Sequence, residues 1–497
     1  MEIIPSLNFR EFLDFFRKGD NLEGSIAITL NPQDVDQFRD FFLDHHLPLS
    51  NSIISIENGP LESYSLEKMM QRKKQLEVLV SSGIRFIELK HPFDTSLLSK
   101  LPASITPILA FEDFEGIAKI DFNMILKLHR KYPKLIFKII ATPESIVDLN
   151  QLILWGKEMQ TKGITHVIVC NGKFSSLTPF LHTKLANEFI IYRPKELTDI
   201  PISSFMRSRI ISICGEILHE ISSEVKIQKQ SDCFFGKNQL ETQIDRSSKK
   251  IAILGHELLG SIEEEFFIGF SNQTCTKLSS VIVPIYSQEE TNIFIQGLGR
   301  ELFDGFSFIG SDLPRIEGID IFDISTAKTG ITTFLLKNKN ELISFDTYHI
   351  LFEKILEPVL ERDIVNIYIE GVNPVLFSLL PIFHSKADLI KIRNRSKEKL
   401  DIITQYFPKV EPVFPDENHS FDVVINFVPF GTRGLPHMLP FSKKVMADAS
   451  LIIDFTTSEN LTPLQQEAFS QGKTFYTGLD IIGRKSFIEQ QLVFRNM

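Results

Sequence analysis

The chain has no surplus of positive charge: 53 lysines and arginines stand against 63 acidic residues, for a formal net charge of -10. A phosphate backbone would be repelled by such a balance, so no nucleic-acid partner is expected. Cysteine is scarce and scattered. Cys170, Cys214, Cys233 and Cys275 show no CxxC spacing, which argues against a disulfide framework and a zinc site, and no metal is assigned. No apolar run reaches the roughly 18 residues a membrane span needs. The first stretch, MEIIPSLNFREFLDFFRKGD, carries acids too early for a secretory signal and reads as an amphipathic helix. No membrane partner is therefore expected, and a reduced cytoplasm is the default location. Tryptophan occurs once while phenylalanine occurs 43 times, which points to large cores and says nothing about chemistry.

What is present is length and alternation. A chain of 497 residues exceeds one compact core and predicts two domains. From Gly24 to Ile202, short apolar runs (Ser25–Leu30, Ser52–Glu57, Ile84–Leu89, Ile105–Phe111, Leu135–Ile140, His166–Cys170, Glu188–Tyr192) alternate with amphipathic patterns such as Gln33–His45, Leu66–Ser82, Phe122–Tyr132 and Glu144–Thr161. That alternation predicts a parallel sheet with helices outside it, and seven or eight units in about 200 residues fit a (β/α)8, TIM-like barrel with its chemistry at the C-terminal strand ends. Lys138 lies inside one of these strands. A lysine withdrawn from water is costly unless paired or kept neutral, and a neutral one forms imines with carbonyl compounds. The plainer alternative is a lysine snorkelling to solvent from a strand edge.

An amphipathic helix is expected over Ser204–Glu224, followed by a polar, irregular stretch, Val225–Lys250, that reads as a linker. Beyond it, the succession of strand Val365–Glu370, Gly371, a helix from Pro374, strand Leu389–Ile392 and then Arg395 has the form of a dinucleotide-binding βαβ unit. Its loop, Gly371-Val372-Asn373-Pro374, keeps one glycine. A side chain where backbone should approach a pyrophosphate obstructs it, and Pro374 has no N–H to give. The rival reading is a Rossmann-like domain without a cofactor. Asp346 equally suits a helix N-cap, and Arg395 a surface arginine at a strand end.

The string FKIIATPESIVDLNQLI, with IAITLNP, SGIRFIELK, PILAFEDFEG and THVIVCNGKFSSLTPFL in order around it, resembles the type I 3-dehydroquinate dehydratases. The resemblance implies that Lys138 is the Schiff-base lysine, that Glu112 stands where the family has its general acid/base histidine, and that Glu88 binds substrate. The family's Glu-x-Arg-x-Asp is Ser55-Ile56-Glu57-Asn58-Gly59 here, without the arginine, its serine–arginine pair is Thr178-Pro179, and its Pro-Gly-Gln loop keeps only Pro201. A glutamate at position 112 would repel an anionic substrate.

From Ile251 onward the motifs resemble shikimate dehydrogenase. Ser261 matches the first substrate-binding serine of the family, while Glu263 and Glu264 replace the second serine and the proline. Leu313 stands at the catalytic lysine, Asp346 matches its acidic partner, and Lys485 replaces a glutamine. The resemblance implies NADP as cofactor, held by Gly371, Asn394, Arg395, Ser396 and Asn426. Together the halves are similar to bifunctional 3-dehydroquinate dehydratase–shikimate dehydrogenases. The expected layout is a barrel at 1–224, a linker at 225–250, a substrate subdomain at 251–345 and a Rossmann-like NADP subdomain with C-terminal closing helices at 346–497. The implied partner is a small molecule (3-dehydroquinate, 3-dehydroshikimate or a shikimate-like ligand), with one or both activities impaired. The alternative is a non-catalytic ligand sensor, regulator or scaffold on the same fold.

Overall fold

Short runs buried on both faces become the parallel strands of the first half. In the computed structural model they are β1 (Glu2–Asn8), β2 (Ala27–Leu30), β3 (Ile53–Ile56), β4 (Phe86–Lys90), β5 (Thr106–Asp113), β6 (Ile136–Ala141), β7 (His166–Cys170) and β8 (Phe189–Tyr192). The structure describes residues 2–17, 26–45, 52–57, 66–82, 84–192, 203–221, 248–255, 257–274, 276–285, 287–309, 315–362, 365–413, 421–432 and 434–495. Pro201, Leu313 and positions 225–247 of the expected linker lie outside the described residues. Described residues up to Tyr192 belong to one compact unit and those from Ser203 to a second.

In the first unit the sheet order is β7-β6-β5-β4-β3-β2-β1-β8, and every pairing is parallel. The two strands at the ends of that order also meet. Glu188 donates its N–H to the His166 carbonyl at 3.1 Å, and the Asn187 amide bridges both backbone groups of Ile168 at 2.7 and 2.9 Å. One apolar cluster draws a side chain from each strand: Ile4, Ala27, Ile53, Phe86, Ile108, Ile136, Val167 and Phe189. The opposite face carries Ile28, Ile54, Ile87, Leu109, Phe137 and Ile168, all buried.

The N-terminus differs from expectation. Glu2–Asn8 is a strand and only Phe9–Arg17 is helical. Proline argues against a central strand because it cannot donate to the ladder, yet β1 pairs with β8 over Glu2–Pro5 and with β2 over Ser6–Asn8. Asn8 makes the turn into the helix, exchanging hydrogen bonds with Glu11 at 2.9 Å each way.

The second unit holds two six-stranded sheets. One comprises β9 (Lys249–Gly255), β10 (Leu278–Val283), β11 (Gly305–Ile309), β12 (Ile321–Phe322), β13 (Phe334–Asn338) and β14 (Glu341–Phe345) in the order β10-β9-β11-β13-β14-β12. The other comprises β15 (Asn366–Glu370), β16 (Leu389–Arg393), β17 (Val410–Pro412), β18 (Val423–Asn426), β19 (Leu451–Asp454) and β20 (Thr474–Thr477). Its strands are all parallel in the order β17-β16-β15-β18-β19-β20. Counted within the sheet this is 3-2-1-4-5-6, the doubly wound order, with its switch point between β15 and β18.

Three helices join this unit. Ser204–Ile221 buries Ile210, Cys214 and Ile217 against Ile262, Phe266 and Phe270 of helix Glu257–Thr274 and Leu479 and Phe487 of helix Gly478–Arg495. From sequence the first of these helices was assigned to the barrel; its apolar face packs in the second unit. After β9 the chain is helical from Glu257.

Arg72 ties the ends of β3 and β4 together in the first unit. Its guanidinium holds Asp94 through Nη2 at 2.7 Å and Nε at 3.0 Å, and donates to the Ile56 carbonyl at 3.1 Å. Both side chains are buried. Arg72→Met is therefore expected to cost about 3–5 kcal/mol, since a buried carboxylate would lose its counter-charge; urea unfolding monitored by circular dichroism measures it.

Candidate functional site

On the face of the first sheet that carries the apolar cluster, apolar side chains give way to polar ones toward the C-terminal strand ends. Register pairs Thr29 with Ser55 and Ser55 with Glu88, and places Lys138 beside Ala110 and Ile140 beside Glu112. Residues two apart on a strand share a face, so Glu88 and Lys90 lie on the face of Phe86, Glu112 on that of Ile108, and Lys138 on that of Ile136. The charges are matched in pairs. Lys138 Nζ donates to Glu88 Oε2 at 2.8 Å, and Lys90 Nζ lies 2.9 Å from Glu112 Oε1. Ser55 Oγ donates to Thr29 Oγ1 at 3.1 Å. The Lys138 and Glu88 side chains are 14% and 7% exposed, so the pair is shielded yet reachable by a small molecule.

Lys90 was not singled out from sequence. Its signal was available, because the alternation Phe86-Ile87-Glu88-Leu89-Lys90 puts both charges on one face. Its position is set from behind: the Lys90 N–H donates to Asp94 Oδ2 at 2.9 Å, the carboxylate that Arg72 grips. The expected repulsion between Glu112 and an anion is also offset, since the Lys90 ammonium accompanies that carboxylate.

In the second unit a cavity of about 1010 Å³ opens along the C-terminal edge of the doubly wound sheet. Asn373 and Val375 contribute to its wall from the loop after β15, Phe427 and Gly431 from the loop after β18, and Phe455 from the end of β19. Glu263, Tyr348 and Lys485 line it from the other elements. Lys485 is sealed from solvent between two carboxylates, 2.7 Å from Glu263 Oε1 and 2.6 Å from Glu489 Oε1. It also donates to Ser307 Oγ at 2.7 Å, and Thr347 Oγ1 donates to Glu489 Oε1 at 2.9 Å. Burial works against the Lys485 charge, but the pull of Glu263 and Glu489 prevails and raises its pKa. Burial pushes the Glu489 carboxyl up, with Lys485 opposing.

Of the residues expected from sequence, Ser261 and Asp346 are buried in this unit but are not among those lining the cavity. Asp346 caps helix Thr347–Leu360, accepting the His349 N–H at 3.0 Å, and its own N–H donates to Ser325 Oγ at 3.0 Å. Burial raises its pKa, and the hydrogen bond from His349 counters this. Tyr348 was not found from sequence, and Glu263 and Lys485 were noted only as replacements. Lys485 and Glu489 are four apart on one helix, a legible pair; their link to Glu263 is not local.

The residues expected to hold NADP are placed around the switch point, but their polar groups serve the fold. Gly371 adopts φ +84°, where a Cβ would sit 2.9 Å from Val428 Cγ2, and its N–H donates to the Arg393 carbonyl at 2.8 Å. Val375 N–H donates to Asn373 Oδ1 at 2.7 Å and Leu376 N–H to the Asn373 carbonyl at 3.0 Å. The donors a pyrophosphate would use at a helix start are thereby engaged. Arg393 Nε grips Glu370 Oε2 at 2.7 Å, and Tyr368 donates to the same oxygen at 2.7 Å. Burial pushes the Glu370 carboxyl up, while Arg393 and Tyr368 hold it back.

Asn394 Nδ2 donates to the Ser396 carbonyl at 3.1 Å, and Ser396 caps the next helix by accepting from Lys399 N–H at 3.3 Å. Asn426 is buried and bonded to Val428 and Asp454. Arg395 alone is exposed. This set does not fit the pyrophosphate of a dinucleotide. Among the described residues, no group of three or more His, Cys, Asp or Glu side chains is arranged to hold a metal ion, and no helix is long and apolar enough to cross a membrane.

No family model matches the chain, and no curated protein matches it by sequence. Solved structures are similar to it in fold. A dehydroquinate dehydratase and shikimate dehydrogenase from S. pombe is 13% identical over 99% of this chain and 96% of that one, with a TM-score of 0.42. A shikimate 5-dehydrogenase-like protein is 15% identical over 50% of this chain and 93% of its own, with a TM-score of 0.45. Shikimate 5-dehydrogenase from Thermus thermophilus, in complex with NADP(H) and shikimate, is 16% identical over 50% and 94%, with a TM-score of 0.41.

A fluorescence titration of the full chain with NADPH is expected to show no saturable binding tighter than about 1 mM. Micromolar binding would mean that the loop at Gly371–Pro374 rearranges to free its donors.

Proposed function

We propose that the chain is a divergent relative of the bifunctional 3-dehydroquinate dehydratase–shikimate dehydrogenases. In this reading the first unit is a closed (β/α)8 barrel that engages a small cyclic ketone through Lys138, and the second unit does not carry NADP-dependent shikimate oxidation. The observation that carries it is the Lys138 amine, held on the inner face at 2.8 Å from Glu88. Closure of the barrel is supported by the cluster with one side chain from each of eight strands and by the Glu188–His166 link.

The chemistry follows from the pair. To attack a carbonyl carbon the ammonium gives up a proton, and Glu88 is within hydrogen-bond distance to take it. The nitrogen then bonds to carbon, the carbonyl oxygen leaves as water, and an imine remains. Lys90 brings a second positive charge to the same layer, suited to a carboxylate on the substrate. A second reading, a ligand sensor without turnover, is favoured by the floor of the second cavity, whose lysine is already matched by two carboxylates of the chain itself.

Borohydride reduction of the full chain with 3-dehydroquinate separates the two. The imine reading expects a covalent mass adduct on Lys138 that Lys138→Ala abolishes. It also expects Glu88→Gln to slow adduct formation by about 10²-fold, the low end for loss of an acid–base group. A chain that stays unmodified after prolonged incubation leaves the sensor reading.

A further inference from the structure

Depth along the strands separates the two ion pairs of the first unit. Lys90 and Lys138 share one layer, since both pair in register with Ala110 of β5. Glu88, which holds Lys138, precedes Lys90 by two residues on β4, while Glu112, which holds Lys90, follows Ala110 by two on β5. In a parallel sheet the first carboxylate therefore lies below the amines, and the second lies between Lys90 and the C-terminal strand ends. Exposure agrees: the Glu88 side chain is 7% exposed and that of Glu112 16%. We propose that Glu112 is an internal competitor, seated on Lys90 where the carboxylate of an entering ligand binds, and that its displacement sets how well the site takes anions.

The contact already has the form of a ligand carboxylate on an amine. Both oxygens of Glu112 face Lys90 Nζ, at 2.9 and 3.1 Å. Exchanging one carboxylate for another on the same amine keeps the ion pair, and the displaced Glu112 turns toward the strand ends, where water solvates its charge. Lys90 is anchored independently of Glu112, because its backbone N–H is tied to the Asp94 carboxylate that Arg72 grips. Between the two amines the layer holds only the methyl group of Ala110. Neighbouring strands lie about 4.8 Å apart, so the Lys90 and Lys138 backbones stand about 10 Å apart across it. A small ligand lying over Ala110 presents one end to each amine. The inference rests on the reading that a ligand enters at these strand ends, and it is independent of imine formation at Lys138.

Quinate is a hydroxylated ring carboxylate without a ketone, and methyl quinate is the same ring without the charge. Isothermal titration of each into the native full chain and into Glu112→Gln tests the proposal. Glu112→Gln is expected to bind quinate at least about tenfold more tightly than the native chain, because a like charge beside the ligand carboxylate is gone. Its affinity for methyl quinate stays unchanged, and adding Lys90→Met removes the gain. An unchanged or weaker quinate affinity in Glu112→Gln, no saturable quinate binding to it, an equal gain for methyl quinate, or a gain that survives Lys90→Met overturns the proposal. A merely structural Glu112 would weaken both ligands together. Should circular dichroism show that Glu112→Gln fails to fold, Glu112→Ala carries the same expectations and the same grounds for rejection. Since quinate forms no imine, these outcomes stand whether or not borohydride traps an adduct on Lys138, so failure here and failure of the imine reading are told apart.

Discussion

An ionised group taken out of water has to find its counter-charge at hydrogen-bond distance, and this requirement shapes both units. In the first it joins Lys138 to Glu88, Lys90 to Glu112 and Arg72 to Asp94. In the second it joins Arg393 to Glu370 and sets Lys485 between Glu263 and Glu489. Most of the partners come from different strands or helices, so such a pairing fixes a register or an approach as well as a charge. Arg72 shows the linkage plainly: the carboxylate it holds also receives the backbone N–H of Lys90, and so aligns the residue that accompanies Glu112.

The two interiors use the same chemistry to different ends. The lysines of the first unit stand at the polar end of a strand layer, 14% and 20% exposed, where a small molecule can displace part of an ion pair. Lys485 is 1% exposed and its two carboxylates 0%, so the amine is fixed in place. An amine of the first kind suits covalent chemistry. One of the second kind is held in place between its carboxylates. The doubly wound sheet beside it keeps the strand order of a nucleotide-binding fold while its loop donors have been turned inward.

Much of the fold was legible because strands buried on both faces read as short apolar runs, and β2 through β8 lie where those runs lie. The strand β1 was not, since Pro5 and the adjoining NFREFLDFF pattern favoured a helix. In the closing helix Gly478–Arg495, Gly478 and Gly483 lower helix propensity. The structure explains Gly483, where a Cβ would stand 2.6 Å from the Phe266 ring. For the site, a lysine inside a strand was enough to find Lys138. Its partner Glu88 is 50 residues away and Glu263 is 222 residues from Lys485. Such separations follow from topology, which local periodicity does not encode, so the sequence could name the residues and not their pairings.

The central claim is that Lys138 and Lys485 are interior ammonium groups held by carboxylates, the first reachable and the second sealed. Reductive methylation of the native chain, read lysine by lysine by mass spectrometry, measures this directly. The account predicts full modification of the exposed Lys397 and Lys399, slower modification of Lys138, and none of Lys485 until the chain unfolds. Modification of Lys138 or Lys485 as fast as Lys397 would contradict it.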